Sequence, residues 1–106
     1  MQTIQTIENT IKESLAVMVY FSAPTCNVCH ALKPKLIDAL DKNFKEFKVE
    51  SVDISMEEDI APHFGVFTAP TVLIFLDGKE FLRKSRNMSV DEVIREIKRP
   101  YDIMTS

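Results

Sequence analysis

Glycine and tryptophan are scarce in this chain of 106 residues, and basic residues are not in excess over acidic ones. It has two glycines, at Gly65 and Gly78, and no tryptophan. The P-loop and the GxGxxG fingerprint both need clustered glycines, so the sequence excludes these phosphate-binding motifs. Lysine and arginine number 13 against 16 acidic residues, which gives a net charge of −3. Because no basic excess is present to attract a phosphate backbone, we expect no nucleic-acid partner.

Long apolar runs and a targeting segment are also missing. No run approaches the roughly 20 apolar residues of a membrane-spanning helix, so we expect no membrane association. The N-terminal segment MQTIQTIENTIKES lacks the basic start, apolar stretch and cleavage site of a secretory signal. We therefore expect a cytoplasmic protein, in a compartment that keeps most thiols reduced. The length and the absence of linkers or repeats predict a single domain over residues 1–106, and we expect a monomer.

Apolar periodicity predicts an alternation of helices and strands. Helices are expected at 6–14, 27–43, 57–64 and 90–99, and strands at 15–21, 47–54, 71–76 and 79–84. Residues 2–4 have an alternative interpretation as a short edge strand. Pro100 is expected to end the last helix, which leaves residues 101–106 as a frayed tail, or alternatively a docking tail. Helices between strands imply a parallel pair with a right-handed crossover, so we expect an α/β sandwich with a mixed sheet.

The two cysteines lie within four residues, in the sequence Cys26-Asn27-Val28-Cys29. The pair follows a predicted buried strand and begins a predicted helix, whose free N–H groups stabilise a thiolate and lower its pKa. Cys26 is therefore the candidate nucleophile, and Cys29, one turn inside the helix, the candidate resolving thiol. His30 lies four residues after Cys26 and is a candidate modulator of the Cys26 pKa. The alternative for His30 is an exposed helix residue without a role.

The segments around this C-x-x-C pair resemble the thioredoxin family over nearly the whole chain. VYFSAPTCNVCHALKPKL is similar to the strand, active-site loop and helix of the family, with Pro34 at the helix kink. VDISMEEDIAPHFGVFTAPTVLIFLDGK resembles the second half, in which Ala69-Pro70-Thr71 matches the cis-proline loop. The resemblance implies a thioredoxin fold, with a mixed four- or five-stranded sheet and helices on both faces. It also implies a cis Ala69–Pro70 bond beside the cysteines.

The function that this resemblance implies is dithiol–disulfide exchange on protein or small-molecule disulfides. Cys26 and Cys29 would be catalytic, with no metal and no cofactor other than their own redox-active disulfide. Thr25 and the Thr68-Ala69-Pro70 loop would border the substrate groove. The implied partners are disulfide-containing protein substrates and a thiol reductant or reductase that recycles the protein.

The sequence departs from the usual family pattern at and beneath the cysteines. Thr25 stands where a tryptophan is usual, and Asn27-Val28 replaces Gly-Pro. Tyr20 occupies the position of a buried aspartate thought to assist the resolving cysteine, and Ser51 that of its lysine partner. Tyrosine, with an ordinary pKa of about 10, is a poor base near neutral pH.

Other functions use the same residues. Cys26 to His30 is also C-x-x-C-H, the attachment pattern of c-type haem, which would make the chain an electron carrier. Cys26, Cys29, His30 and His63 supply four potential zinc ligands, and two chains could share an iron–sulfur cluster. A redox-passive interaction module with the same fold is a further alternative. The cysteines could finally be ordinary core residues.

Overall fold

Helices and strands alternate along the computed structural model, which describes residues 2–105. In chain order they are α1 (Ile4–Glu13), β1 (Ala16–Ser22), α2 (Asn27–Asn43), β2 (Lys48–Asp53), α3 (Ile60–His63), β3 (Thr71–Leu76), β4 (Lys79–Ser85) and α4 (Val90–Thr105). The predicted order is confirmed, and α2 and β3 have their predicted bounds. None of the described helices is long and apolar enough to span a bilayer.

The sheet has four strands in the described part of the chain, in the order β2-β1-β3-β4. β1 pairs parallel with β2 and antiparallel with β3, and β3 pairs antiparallel with β4. The parallel pair is joined through α2, as a crossover connection requires. The turn between β3 and β4 has positive φ at Asp77 and Gly78, 54° and 79°, as in the predicted tight hairpin. The sheet is therefore mixed, with β1 and β3 at its centre.

Two apolar layers cover the opposite faces of this sheet. Successive side chains of a strand point to opposite faces, so each central strand contributes to both layers. Met18, Tyr20 and Ile74 lie in the layer formed with α2 and α4, here called the α2/α4 layer. Val19 and Leu73 lie in the layer formed with α1 and α3, here called the α1/α3 layer. Strands buried on both faces explain the continuous apolar runs in the sequence.

Two helices begin at residues other than those predicted, and local capping explains the start of α1. The strand suggested for residues 2–4 is wrong, because Thr3 caps α1 and Ile4 begins it. The Thr6 amide donates to Thr3 Oγ1 at 3.1 Å, and the Thr3 amide donates to Thr6 Oγ1 at 2.9 Å. The helix predicted over 57–64 is the shorter Ile60–His63. Gly65 follows it with φ 70°, the left-handed conformation in which glycine ends a helix.

The last helix does not end at Pro100, and the tail predicted after it is helical as far as Thr105. Tyr101 is 5% exposed and packs on Phe44, with ring centroids 4.7 Å apart. Its hydroxyl accepts the Glu46 amide at 3.0 Å. An interior proline costs a helix about 3 kcal/mol. Burial of this aromatic ring offsets that cost, and therefore the helix continues. Ser106 lies outside the described residues.

Candidate active site

Cys26 and Cys29 form a disulfide where β1 ends and α2 begins. A turn after Ser22 leads to Cys26, whose amide donates to the Ala23 carbonyl at 3.0 Å. Cys26 then serves as the N-cap of α2, and its sulfur accepts the Cys29 amide at 3.2 Å. The strand and helix thus hold the two sulfur atoms together at the end of the central strand.

The two cysteines differ in their access to solvent. Cys29 is 1% exposed and belongs to the α2/α4 layer, whereas Cys26 is partly exposed at its edge. In the reduced protein, the Cys29 amide that now contacts Cys26 Sγ would donate to a thiolate. Amide donors at a helix N-terminus favour the thiolate over the thiol. The outer sulfur is therefore the one that can meet another molecule as a nucleophile.

His30 lies beside the loop that precedes the cysteines. Its Nε2 lies 3.2 Å from the Pro24 carbonyl oxygen, so Nε2–H donates to this carbonyl. The ring is exposed. This contact ties the first turn of α2 to the loop, which is a positional role that the sequence did not reveal.

The segment from Thr68 to Pro70 reaches the same end of the sheet. β3 begins at Thr71, which pairs with Phe21 of β1, so Pro70 lies near the end of β1. The Ala69–Pro70 peptide bond is cis, which confirms the implied geometry. Ala69 and Cys26 both pack against the α2/α4 layer. The topology therefore brings the proline loop and the disulfide together.

Hydrogen bonds from β3, from β4 and from Arg86, the residue that follows β4, hold the proline loop and the segment before it. Thr71 Oγ1–H donates to the Thr68 carbonyl at 2.8 Å, and the Arg86 amide donates to the Pro70 carbonyl at 2.8 Å. The Arg83 guanidinium donates to the carbonyls of Phe64 and Gly65, at 2.7 and 3.1 Å, just before the loop. Nothing local in the sequence indicated that Arg83 holds this segment.

Apolar side chains are exposed around the cysteines and the proline loop. Val28, between the two cysteines, is 62% exposed, and Phe67, three residues before Pro70, is 77% exposed. Phe67 is therefore not a core residue, whereas the nearby Phe64 packs on Phe21 with ring centroids 6.2 Å apart. Exposed apolar residues beside a reactive group favour contact with a partner.

Tyr20 lies directly beneath the inner cysteine. Its buried hydroxyl donates to the Cys29 carbonyl at 2.9 Å, and Ser51 is its neighbour on β2. Burial raises the pKa of Tyr20 to about 12. The phenol therefore stays protonated near neutral pH, where it holds the backbone of Cys29 and cannot accept a proton from its thiol.

The four residues that could have formed a zinc site are not assembled. His63 lies on α3, and its Nε2 contacts Glu8 Oε2 of α1 at 3.1 Å. Over residues 2–105, no group of three or more His, Cys, Asp or Glu side chains is arranged to hold a metal ion.

An α/β sandwich that carries a C-x-x-C disulfide at a strand–helix junction, opposite a cis-proline loop, belongs to the thioredoxin-fold class. A family model described as Thioredoxin matches residues 2–99. The thioredoxin-like protein YdfQ of Bacillus subtilis (strain 168) is 37% identical over 101 residues, covering 95% of this chain and 89% of that protein. This chain belongs to the thioredoxin family.

Solved structures agree with this assignment. Thioredoxin 1 from Thermosipho africanus TCF52B superposes with a TM-score of 0.76 at 31% identity, covering 85% of this chain and 99% of that one. A mutant thioredoxin from Halobacterium salinarum NRC-1 gives a TM-score of 0.80 over 94% of this chain and 86% of that one. At 21% identity the second likeness shows the fold alone. Family membership and the cysteine pair together support a general thiol–disulfide oxidoreductase activity.

Proposed function

We propose that this protein reduces disulfide bonds in protein or small-molecule substrates by dithiol exchange through Cys26 and Cys29. The observation that carries the proposal is the asymmetry of the pair. Cys26 is a partly exposed helix N-cap that faces an amide donor, and Cys29 is 1% exposed behind it. Cys26 Sγ can therefore contact a substrate disulfide, whereas Cys29 Sγ can contact only Cys26 Sγ.

Two exchange steps complete the reaction. The Cys26 thiolate attacks one sulfur of the substrate disulfide, forms a mixed disulfide and releases the other sulfur as a thiolate. Deprotonated Cys29 then attacks Cys26 Sγ, forms the Cys26–Cys29 disulfide and releases the second substrate thiolate. The substrate gains two electrons and the cysteine pair loses two. A thiol reductant or reductase must return them, and no further cofactor is needed.

The substrate groove of this proposal is bordered by Thr25 and the Thr68-Ala69-Pro70 loop. Thr25 is exposed next to Cys26, and Pro70 is buried with its carbonyl bonded to the Arg86 amide. Exposed Val28 and Phe67 add apolar surface to this rim. An extended segment of a disulfide-containing protein is the substrate shape that such a groove accepts.

The proposed setting is the cytoplasm, where a monomer would meet a thiol reductant. Reduction is the direction that this compartment favours, because its thiols are kept reduced. The acidic balance of 13 basic against 16 acidic residues is the reason that nucleic acid is left out of the proposed partners.

Trapping of mixed disulfides tests this mechanism. Cys29→Ser removes the resolving thiol, so it is expected to accumulate mixed disulfides with substrate proteins that dithiothreitol releases. Cys26→Ser is the matched control and should trap none and lose disulfide reduction. Reducing and non-reducing gels with mass spectrometry identify the partners. The mechanism is wrong if Cys29→Ser traps nothing while Cys26→Ser retains full activity with dithiothreitol as electron source.

A redox-passive interaction module is a second candidate, favoured by Tyr20. With its pKa near 12, this residue supplies no base to the resolving thiol. A module would bind its partner equally well with both cysteines replaced by serine and would catalyse no disulfide reduction. The double variant therefore separates the two candidates in one binding and activity comparison.

A further inference from the structure

Three cationic residues, Arg83, Lys84 and Arg86, lie within four positions of the chain where β4 ends, and two of them have side-chain partners within the protein. The Arg83 guanidinium pairs with Glu80 at 3.0 Å and also holds the carbonyls after α3. Lys84 Nζ contacts Glu92 at 2.7 Å and Glu96 at 3.1 Å on α4. Both side chains therefore have a structural use.

Arg86 is the third cation, and its side chain has no such use. It is exposed, and within residues 2–105 its guanidinium has no hydrogen-bond or ion-pair partner. Its backbone has φ 60°, the left-handed region that is costly for residues other than glycine and asparagine. Glycine would adopt this conformation without that cost. The backbone conformation at position 86 thus favours glycine, yet the residue there is an arginine.

The backbone of Arg86 lies against the proline loop. Its amide donates to the Pro70 carbonyl at 2.8 Å, one step beyond the last β3–β4 pair, Thr71 with Ser85. This hydrogen bond fixes the base of the arginine side chain at the edge of the groove. A long, flexible side chain that starts there can reach a group on a bound substrate.

We propose that Arg86 determines specificity in the disulfide exchange by pairing with a carboxylate on the substrate segment that lies along the proline loop. The proposal rests on the proposed function, because it concerns the substrate of the same site. A guanidinium offers several N–H donors that match a carboxylate. Arg86 would act on binding alone, since its backbone contacts Pro70 and the exchange chemistry belongs to Cys26 and Cys29.

Charge-matched peptides test this recognition. Each peptide carries one cysteine in mixed disulfide with thionitrobenzoate, and a glutamate, glutamine or lysine is placed in turn at each position near that cysteine. Pre-reduced protein is mixed with each peptide, and the second-order rate constant is read from release of the coloured thiolate. At the best position, we expect the glutamate peptide to react about threefold faster than the glutamine peptide, as one exposed ion pair provides. The difference should shrink in high salt.

Four proteins separate charge recognition from other effects. Arg86→Gln should bring the rate on the glutamate peptide down to the rate on the glutamine peptide, whereas Arg86→Lys should keep most of the difference. Arg86→Gly removes the side chain and the backbone cost together and should also lose the preference. Arg99→Gln makes the same charge change at an exposed position of α4, two residues before Tyr101, and should keep it.

The peptide rates separate a failure of carboxylate recognition by Arg86 from a failure of disulfide exchange by Cys26 and Cys29. If the wild-type protein reacts with none of the peptides, both proposals fail. Equal rates on the glutamate and glutamine peptides at every position would overturn only the role of Arg86. A preference that survives in Arg86→Gln, or disappears equally in Arg99→Gln, would likewise overturn it.

Discussion

At the scale of one residue, Tyr20 places a phenol beneath the inner cysteine, where the family usually has a carboxylate. Tyr20 donates its hydroxyl proton to the Cys29 carbonyl, and burial raises its pKa to about 12. It therefore anchors the first turn of α2 to β1 without taking part in proton transfer. Within the proposed mechanism, Tyr20 therefore supplies no base for the deprotonation of Cys29.

Removal of this hydroxyl should change stability in a pH-dependent way. Tyr20→Phe is expected to lower the free energy of unfolding by about 1 kcal/mol at neutral pH, because one buried hydrogen bond is lost. The unfolded phenol has a pKa of about 10, and the folded phenol a pKa of about 12. The folded state binds the proton more tightly, so this contribution is constant below about pH 10 and falls as pH rises toward 12.

Urea unfolding of wild type and Tyr20→Phe at a series of alkaline pH values measures this difference. The gap between the two unfolding free energies should narrow above pH 10, since only the wild type has this proton to lose. A gap that stays constant through that range would contradict the buried, protonated phenol.

At the scale of elements, the second half of α4 determines how the loop between α2 and β2 is held. Tyr101 packs on Phe44 and Phe47, and its hydroxyl contacts both the amide and the carbonyl of Glu46. Because α4 continues past Pro100, the Tyr101 side chain covers one end of the α2/α4 layer.

Tyr101 should therefore be as costly to remove as a core aromatic residue. Tyr101→Ala is expected to lower the free energy of unfolding by about 3–5 kcal/mol. Tyr101→Phe keeps the ring and should cost about 1 kcal/mol, because the Glu46 amide loses its partner. Denaturant unfolding measures both, with the exposed neighbour substitution Asp102→Ala as the control, expected within about 0.5 kcal/mol of wild type. If Tyr101→Ala matches that control, the last turns of α4 are not part of the folded core.

At the scale of the whole molecule, one sheet is shared by two apolar layers. Leu73 and Ile74 are adjacent in β3 and fully buried, yet they belong to different layers. Tyr20 and Tyr101, the two tyrosines of the chain, both belong to the α2/α4 layer. Tyrosine fluorescence therefore reports on the α2/α4 layer.

This shared sheet predicts that both layers unfold together. Leu73→Ala and Ile74→Ala should each cost about 2–5 kcal/mol, because each leaves a cavity in a closed layer. Leu73→Ala lies in the α1/α3 layer, but it should shift the urea midpoint of tyrosine fluorescence as much as that of far-UV circular dichroism. A tyrosine transition that stays at the wild-type midpoint would show that the layers are independent and would refute the single-domain expectation.

The sequence by itself determined the order of elements and the position of the cysteine pair. Apolar runs located β1 and β3, and apolar periodicity predicted α2 at 27–43, the bounds that the structure has. These signals are local, because periodicity and turn residues act over a few neighbouring positions. The C-x-x-C spacing placed both sulfurs at one helix start for the same local reason. The cis Ala69–Pro70 bond came from the family resemblance.

The tertiary structure alone decided which distant residues meet. Tyr101 meets Glu46 across 55 positions of the chain, and Arg83 meets Gly65 across 18. No local pattern encodes such contacts, so the continuation of α4 past Pro100 and the support of the proline loop were not predictable. The role of Tyr20 as a donor and the place of Arg86 beside Pro70 also depend on which strands become neighbours. These contacts exist only once the sheet has closed and the layers are packed.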